Sequence, residues 1–582
     1  MYFNFTEGSY NLSLFSIYVD TDHSFAELKD LPPEVLAAFY HEYFHFLQDV
    51  TSPFTVNVMW QLYGSTVQLI QYAQTHGSVI RLPLGEVAEL KYLERQKRFI
   101  DLIFGGQYCG FDNEPAAVPY EVVQVKIEAR TDFSDISESE NVKFVELEIA
   151  DANGQKSEYG FGALAVIETM TYLIQKKFFG ESAVPEVPYI IAVRVAALIC
   201  PGIGSNEEYV FSVCDLALKT PYPGWMFVFL LTELGKAMPD PKSASAIYEF
   251  CLPILEEMWR CQESFAHYKK KVLHCLGQLQ GHAAFIDNLN WITTLIEQGY
   301  NRQTNEPMMM LKLYQQEKPF NEYLLGFRDD LGMPEIINNL RNRWFHVPAS
   351  LQNTAGGIDP TILGAAIQLH ATLLEADTCC ALQPQCAKSH RKMPLDTDCS
   401  TAPWKKAHLD PSCAFGAIWA SFGLHNFTIE QDEWILEEME IVTNNETVNK
   451  LWIRGYPNNQ WVDAPFGNYK VRVDPAGPAG QIHIHISHPQ HRQSKKEQVS
   501  WNIDGTRHDA GSFNENFVGM KQARRIAREV LRIPDNVVLQ YKTRLAYTQT
   551  LLKEGDFPLD IISCKITPLT KEVRPEDVEA GL

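Results

Sequence analysis

The segment His41-Glu42-Tyr43-Phe44-His45 constrains this chain more than any other feature of its sequence. On an α-helix, residues four apart share a face, so His41 and His45 offer two imidazole nitrogens to one ion. Glu42 follows the first histidine and reaches a water on that ion without being a ligand. Two nitrogen ligands, an open coordination position and an adjacent base are what a zinc hydrolase requires. The segment therefore predicts a catalytic metal site.

The residues on both sides of this HExxH segment favour a helix at about 33–50. Asp30, Pro32 and Pro33 form a helix-start signal. This setting argues against a chance occurrence of the pattern. Apolar residues continue the helix through the segment: Val35, Leu36, Phe39, Tyr40, Tyr43, Phe44 and Leu47.

A catalytic zinc usually takes three protein ligands, so a third remains to be found. Segment 161–174 is a nearly continuous apolar helix in which Glu168 is the single charge. Because burial of an unpaired carboxylate is strongly unfavourable, Glu168 requires a partner, either a metal ion or an arginine or backbone donors. Asp215, in a similarly apolar segment, is a competing candidate. We interpret it as a group that accepts the outer N–H of a ligand histidine or holds a helix end.

Other side chains remain as alternatives around the same site. Asp49, one turn beyond His45, either supports a ligand histidine in the same way or ends the helix. His76 and Glu158 are more distant candidates for the third ligand.

The stretch HEYFHFLQD, a β-rich insertion and then YGFGALAVIETMTYLIQ resemble a gluzincin-type HExxH metallopeptidase over about residues 30–220. The resemblance implies a zincin-like core in which His41, His45 and Glu168 bind one Zn²⁺. It also implies that Glu42 deprotonates the metal-activated water and later protonates the leaving amine. The third histidine of the metzincin pattern does not follow in this sequence.

Features near Glu168 complete the expected active site. Tyr172, one turn later on the same helix face, is a candidate for supporting the oxyanion, with a packed core tyrosine as the alternative interpretation. Residues 118–160 contain alternating strands with a turn between them. Because an edge strand can pair with an extended peptide, these strands are predicted to border the cleft and bind substrate.

Composition restricts the class of protein. The 582-residue chain is 45% hydrophobic, which is typical of a globular protein with large cores. Its net charge of -22 argues against a general nucleic-acid or anionic-membrane binder. No apolar run reaches the roughly 18 residues of a membrane helix, and the N-terminus lacks a secretory signal. The 12 scattered cysteines fit a reduced, cytoplasmic protein.

The chain is expected to be an α+β protein that is mostly helical. We predict a zincin-like metallopeptidase domain with a β-hairpin insertion and a helical extension at 1–345, and a Cys-rich helical and loop region at 346–430. A smaller α+β recognition or regulatory domain follows at 431–565, and a flexible tail at 566–582. Helices are predicted at 33–50, 54–76, 162–179, 188–200, 207–219, 225–237, 244–280, 285–298, 333–344, 360–377 and 519–532.

Five of the 12 cysteines fall between residues 379 and 413. A structural zinc bound by Cys379, Cys380, Cys386 and Cys399 would stabilise this segment. No CxxC pair occurs there, so unligated loop cysteines are the alternative interpretation.

The strand at 481–488 places His483 and His485 on one face and isoleucines on the other. The simplest interpretation is a half-buried strand with a solvated face. However, residues 489–545 carry 11 basic and 6 acidic side chains in an otherwise acidic chain. A histidine-lined strand beside a basic helix would bind phosphate or RNA at 481–532, or form a small nuclease site.

These observations lead to three hypotheses about function. The first is a zinc-dependent endopeptidase that cleaves a protein or peptide substrate inside the cell and is restrained by a partner or ligand. The second is a binding or regulatory protein with a non-catalytic metal site, although a structural site has no need of the base Glu42. The third is a multidomain toxin or defence-type effector whose C-terminal module binds or cleaves RNA.

Overall fold

The computed structural model describes residues 2–106, 120–130, 142–150, 154–375, 399–431, 436–453 and 461–539 with short internal gaps, together with Cys380 and Leu382. The predicted tail at 566–582 lies outside these residues. The architecture is mixed α and β and mostly helical. The chain divides into two compact units: Met1–Cys109, Pro115–Thr428 and Ile562–Leu582 form the first, and Gly110–Glu114 and Ile429–Ile561 form the second.

The first unit is built mainly from helices. Within the described ranges, none of them has the length and apolar character needed to cross a bilayer. The helices are α1 (Pro33–Thr51), α2 (Pro53–Thr75), α3 (Lys91–Phe104), α4 (Ala163–Phe179), α5 (Glu186–Tyr189), α6 (Ile191–Ile199), α7 (Pro201–Gly204), α8 (Glu207–Leu218), α9 (Pro223–Ala237), α10 (Ala244–Trp259), α11 (Cys261–Leu279), α12 (Ile286–Asn305), α13 (Met309–Tyr314), α14 (Glu322–Leu331), α15 (Thr361–Glu375), α16 (Pro403–Leu409) and α17 (Ala414–Ser421).

The strands of the first unit are β1 (Tyr2–Phe5), β2 (Gly8–Asn11), β3 (Ser16–Val19), β4 (Val79–Leu82), β5 (Glu121–Arg130), β6 (Val142–Ala150), β7 (Lys156–Phe161), β8 (Met333–Ile337) and β9 (Arg343–His346). The largest sheet has the order β1-β2-β3-β8-β9, and a second sheet has the order β5-β6-β7. Strand β10 (Thr428–Gln431) includes the boundary between the two units.

The predicted helix at 333–344 is wrong, because this segment supplies strands β8 and β9. All five residues of β8 are buried, and β8 pairs in parallel with β3, from Ser16 opposite Glu335 to Tyr18 opposite Ile337. Pro334 and the β-branched Ile336 fit a strand better than a helix interior. Pairing with a strand more than 300 residues earlier decides the outcome, and no local pattern reports it.

The predicted single helix at 244–280 is also wrong, because the chain breaks at Arg260 into α10 and α11. Arg260 adopts the left-handed conformation with φ of 46°, which ends α10 as a C-terminal cap. Glycine usually occupies such a position, so the composition of the segment did not indicate the break.

Helix α1 lies in the core of the first unit, where it packs against β2, β3, α4 and α12. Pro33 occupies its first turn, where a missing N–H is tolerated, and the helix ends before Ser52 and Pro53. Its residues from Ala37 to Thr51 are all buried. Gly162 is the N-cap of helix α4, and a β-carbon at this residue would lie 2.3 Å from the carbonyl oxygen of Ile103. This close approach explains the glycine between β7 and α4.

The described residues of the second unit form a four-stranded antiparallel sheet, a strand pair and one α-helix. Its strands are β11 (Leu436–Thr443), β12 (Glu446–Ile453), β13 (Val462–Asp463), β14 (Lys470–Asp474), β15 (His483–Ser487) and β16 (Gln498–Asn502), and its helix is α18 (Met520–Leu531). The sheet has the order β13-β14-β15-β16, and β11 pairs with β12 separately. Ile484, Ile486 and Trp501 from the sheet form a buried core with Ala523 and Ile526 of α18.

Candidate metal centre

Helix α1 carries both histidines of the HExxH segment into the protein interior. His41 and His45 are each 1% exposed, and their Nε2 atoms lie 3.2 Å apart. This proximity follows from the helical spacing of four residues, which stacks the two side chains on one face. The spacing predicted from the sequence is therefore present in the folded chain.

Glu168 joins these two histidines from the neighbouring helix α4, which packs against α1. Its Oε2 atom lies 3.3 Å from Nε2 of His41 and 3.4 Å from Nε2 of His45. The side chain is 2% exposed. The fold thus brings together the three residues that the sequence predicts as metal ligands.

The three atoms have the mutual spacing of ligands around a small divalent cation. A tetrahedral zinc with bonds of about 2.0–2.1 Å holds its ligand atoms about 3.3 Å apart. The observed separations of 3.2, 3.3 and 3.4 Å match this value. Two imidazoles and one carboxylate are also a common donor set for catalytic zinc, so the cluster fits Zn²⁺ in both chemistry and geometry.

The outer nitrogens of both rings face glutamine side chains. Nδ1 of His41 lies 2.8 Å from Oε1 of Gln175, and Nδ1 of His45 lies 3.0 Å from Oε1 of Gln48. An amide oxygen only accepts, so each Nδ1 carries the proton and each Nε2 presents a lone pair to the centre. The hydroxyl of Thr171 donates to the same Gln48 oxygen at 3.1 Å and helps to position it.

The electrostatics of the cluster suit metal binding. Burial alone would raise the pKa of Glu168, but His45 and His41 outweigh it and lower this pKa to about 2. Burial lowers the pKa of His41, although the neighbouring Glu168 acts to raise it. A neutral imidazole and an ionised carboxylate are the forms that bind a cation.

Glu42 lies beside the cluster in a different electrostatic situation. Burial, with the charge of Glu168 as a second cause, raises the pKa of Glu42 well above its usual value. Within the described part of the chain, neither of its carboxylate oxygens has a hydrogen-bond partner. A β-carbon at Gly8 of β2 would lie 2.9 Å from Oε1 of Glu42, so only glycine leaves this side chain undisturbed. Orphaned buried carboxylates are rare in folded proteins.

Tyr189, at the end of α5, is a neighbour of the cluster that the sequence did not reveal. Its ring centroid lies 6.0 Å from that of His41. Its pKa is raised by burial and then by the charges of Glu168 and Glu42. Nothing in the local sequence marks this tyrosine, because its position depends on how the 180–190 connection folds back onto α4.

Tyr172, the tyrosine proposed from sequence, is buried on α4. Its pKa is raised by burial, and the charges that act on it belong to Lys176, Glu181 and Glu207. The two carboxylates of the cluster act instead on Tyr189. The role near the oxyanion that the sequence suggests for Tyr172 stays a prediction.

The other acidic candidates have protein partners. Asp215 accepts hydrogen bonds from the Tyr248 hydroxyl at 2.8 Å and pairs with Lys219 at 3.0 Å. Asp49 accepts from the Tyr10 hydroxyl and from the Ser13 backbone N–H, both at 2.7 Å. Both acids thus have structural partners.

The more distant candidates lie outside the cluster. His76 is exposed at the C-terminal cap of α2, where its Nδ1 contacts the Tyr72 carbonyl oxygen. Glu158 is 60% exposed and pairs with Lys126 on the β5-β6-β7 sheet. That sheet packs against α6 and α9, whereas β2 and β3 pack against α1. The substrate-binding role expected for the 118–160 strands stays a prediction.

The cysteine-rich segment is only partly described. Cys379 and Cys386 of the predicted structural zinc lie outside the described residues. Cys380 is buried, and its N–H donates to the carbonyl oxygen of Cys399 at 2.9 Å. Cys413 caps α17 by accepting from the N–H of Gly416 through its sulfur.

Comparisons with known proteins concern the second unit. The model of a family of unknown function, DUF6367, matches residues 430–571. No match was found among curated proteins or among solved structures. The matched region does not include the HExxH segment, so the metal cluster is interpreted from its own geometry.

Proposed function

We propose that this protein is a zinc-dependent endopeptidase that cleaves a protein substrate inside the cell. His41, His45 and Glu168 bind the ion, and Glu42 is the general base. The observation that carries the proposal is the spacing of 3.2–3.4 Å among the three ligand atoms. The orphaned Glu42 carboxylate beside them favours a catalytic over a structural centre.

When bound, zinc supplies Lewis acidity that lowers the pKa of a water and polarises a peptide carbonyl. Glu42 accepts a proton from the attacking water and returns it to the leaving amine. Gln175 and Gln48 keep the two imidazoles in the tautomer that ligates metal. Tyr189, whose ring lies 6.0 Å from that of His41, is our candidate donor to the developing oxyanion.

The burial of the site supports regulation by a partner or ligand. His41, Glu42, His45 and Glu168 are all at most 2% exposed. Gly8 of β2 lies directly against Glu42. A polypeptide substrate therefore requires displacement of a covering element before it reaches the centre, which is a conformational step that a partner can drive.

Two other functions remain as alternatives. A regulatory protein with a non-catalytic metal site would use the same three ligands, but structural zinc sites normally take four protein ligands. Among the described residues, the cluster of His41, His45 and Glu168 supplies three protein ligands. A multidomain toxin or defence-type effector would combine the first unit with an RNA-directed second unit. The match to a family of unknown function at 430–571 is compatible with a separate role for that region.

The decisive experiment measures zinc content and peptide cleavage on the same preparations. Wild type, Glu42→Gln and the control Glu34→Gln, an exposed residue in the first turn of α1, are incubated with a proteome-derived peptide library. New peptide termini are then identified by mass spectrometry. We expect Glu42→Gln to retain one zinc and to lose cleavage by at least about 10²-fold, while Glu34→Gln cleaves normally. Because the site is closed, the library is also tested with mildly trypsin-nicked protein.

The result separates the hypotheses. Zinc retained in all three proteins without cleavage under either condition would favour the non-catalytic metal site. Cleavage that persists in Glu42→Gln would remove Glu42 from the mechanism. Absence of zinc in wild type would refute the metal centre itself.

A further inference from the structure

A second group of imidazoles lies in the second unit, on the sheet face opposite α18. Alternation along β15 directs Ile484 and Ile486 into the core with that helix and His483 and His485 to the other face. His508, from the segment after β16, joins them. One nitrogen from each of the three histidines lies within 4.8 Å of the others.

An acidic side chain faces two of these rings. Oδ2 of Asp474, on the adjacent strand β14, lies 3.4 Å from Nε2 of His483 and 3.4 Å from Nε2 of His485. The register explains this arrangement, because Asp474 stands opposite His483 and Arg472 opposite His485. Arg472 donates through Nη2 to the same carboxylate at 2.8 Å and fixes its orientation.

The third ring is held by its outer nitrogen. Nδ1 of His508 lies 3.1 Å from Oδ1 of Asn502, an acceptor, so its Nε2 is the nitrogen available as a metal ligand. Its ring is stacked on that of His483, with centroids 3.4 Å apart and planes at 15°. Imidazole rings bound to one tetrahedral ion have centroids about 5 Å apart, so these two rings separate when both bind the ion.

We propose that His483, His485 and His508 form a second metal site, with the Asp474 carboxylate beside two of the rings as a compensating negative charge. Three imidazoles suit a late first-row divalent cation of the Zn²⁺ type. The spacing of 3.4 Å between the carboxylate oxygen and both Nε2 atoms repeats the arrangement of Glu168 with His41 and His45. The bound ion ties the segment after β16 to the sheet.

A cation explains this cluster better than a phosphate or RNA. The Asp474 carboxylate points at the two imidazoles that a phosphate would have to contact, and two anions at that distance repel each other. The same carboxylate attracts a metal ion. A phosphate site therefore requires displacement of a carboxylate that Arg472 holds in place.

The test compares the zinc content of full-length proteins after chelator treatment, incubation with excess ZnCl₂ and desalting. The variants are His485→Ala, His508→Ala and the control His491→Ala, a half-exposed histidine of the same unit that pairs with Glu497. We expect both site variants to bind one zinc fewer per chain than wild type, and the control to bind the same amount. Because only the difference is used, the outcome does not depend on the centre at His41 and His45.

A second measurement covers the case in which a variant unfolds. His508 lies outside the strand pairing of β15, so His508→Ala preserves the sheet, and circular dichroism verifies folding. The His41→Ala/His45→Ala variant, which retains His483, His485 and His508, is also titrated with Co²⁺, and visible absorption typical of tetrahedral coordination is expected at one equivalent. Equal zinc content in wild type and His508→Ala overturns the proposal. The proposal is also overturned if the His41→Ala/His45→Ala variant does not bind Co²⁺. It is likewise overturned if inorganic phosphate raises the thermal stability of the protein and zinc does not.

Discussion

Replacement of Gln175 by leucine tests whether the buried amide controls zinc affinity. Oε1 of Gln175 lies 2.8 Å from Nδ1 of His41, and this contact selects the tautomer that leaves Nε2 free of a proton. Without it, the metal-free protein can shift the proton to Nε2, where Glu168 accepts it at 3.3 Å. Zinc binding then requires the proton of His41 to return to Nδ1, where the buried N–H has no acceptor.

The magnitude follows from the energetics of that unsatisfied group. A buried donor without a partner is unfavourable by about 1–3 kcal/mol, which corresponds to a loss of roughly 5- to 150-fold in zinc affinity. Loss of an outer contact to a ligand histidine typically weakens metal binding by about 10- to 100-fold, which agrees with this range. We therefore expect the zinc Kd of Gln175→Leu to rise by about one to two orders of magnitude.

The assay is zinc competition with a fluorescent chelator at neutral pH. Gln175→Glu restores an acceptor for Nδ1 and should bind zinc within about threefold of wild type. Gln71→Leu, at an exposed position of α2, is the matched control for the substitution itself. An unchanged Kd in Gln175→Leu, or an equal loss in Gln175→Glu, would refute the proposed control of the tautomer.

Further substitutions test the neighbours of the centre. In a peptide-cleavage assay, Tyr189→Phe should retain zinc and lower kcat by about 10²-fold. Tyr172→Phe should keep a kcat within about twofold of wild type. The reverse order would assign the oxyanion role to Tyr172. Asp215→Asn leaves Lys219 buried without its charged partner, so the free energy of unfolding in urea should fall by about 3–5 kcal/mol. Zinc content should be unchanged, and loss of zinc would make Asp215 a ligand. Burial raises the pKa of Asp49 to about 7, so ionisation destabilises the native metal-free protein as pH rises from about 4 to 7. Asp49→Asn should therefore gain on the order of 2–4 kcal/mol relative to wild type between pH 5 and pH 8 in urea unfolding, and a difference independent of pH would contradict this reasoning.

The ligands of the proposed metal centre could be predicted because local rules encode them. The spacing of His41 and His45 is a property of any α-helix, and the lone charge of Glu168 in an apolar helix required a strong partner. The same reasoning made Asp215 a competitor. Its partner Lys219, four residues later, was a signal in the sequence, since residues at that spacing pair on a helix.

The surroundings of the centre could not be predicted, because contacts between distant segments create them. Gln175 meets His41 across 134 residues, and Gly8 meets Glu42 only after β2 has joined its sheet. Tyr189 reaches the cluster through an irregular connection with no periodic pattern. The strand at 333–337 was mistaken for a helix because its partner lies in the first 20 residues.

The parallel pairing of β3 with β8 determines which fragments of this protein can be studied. A fragment ending near residue 220 would contain every residue of the HExxH centre but would lack β8. Residues 16–18 would then present unpaired N–H and C=O groups at an open sheet edge beside α1. Such an edge recruits other chains, so this fragment should aggregate. A soluble fragment with an intact centre must extend through His346, where β9 completes the sheet.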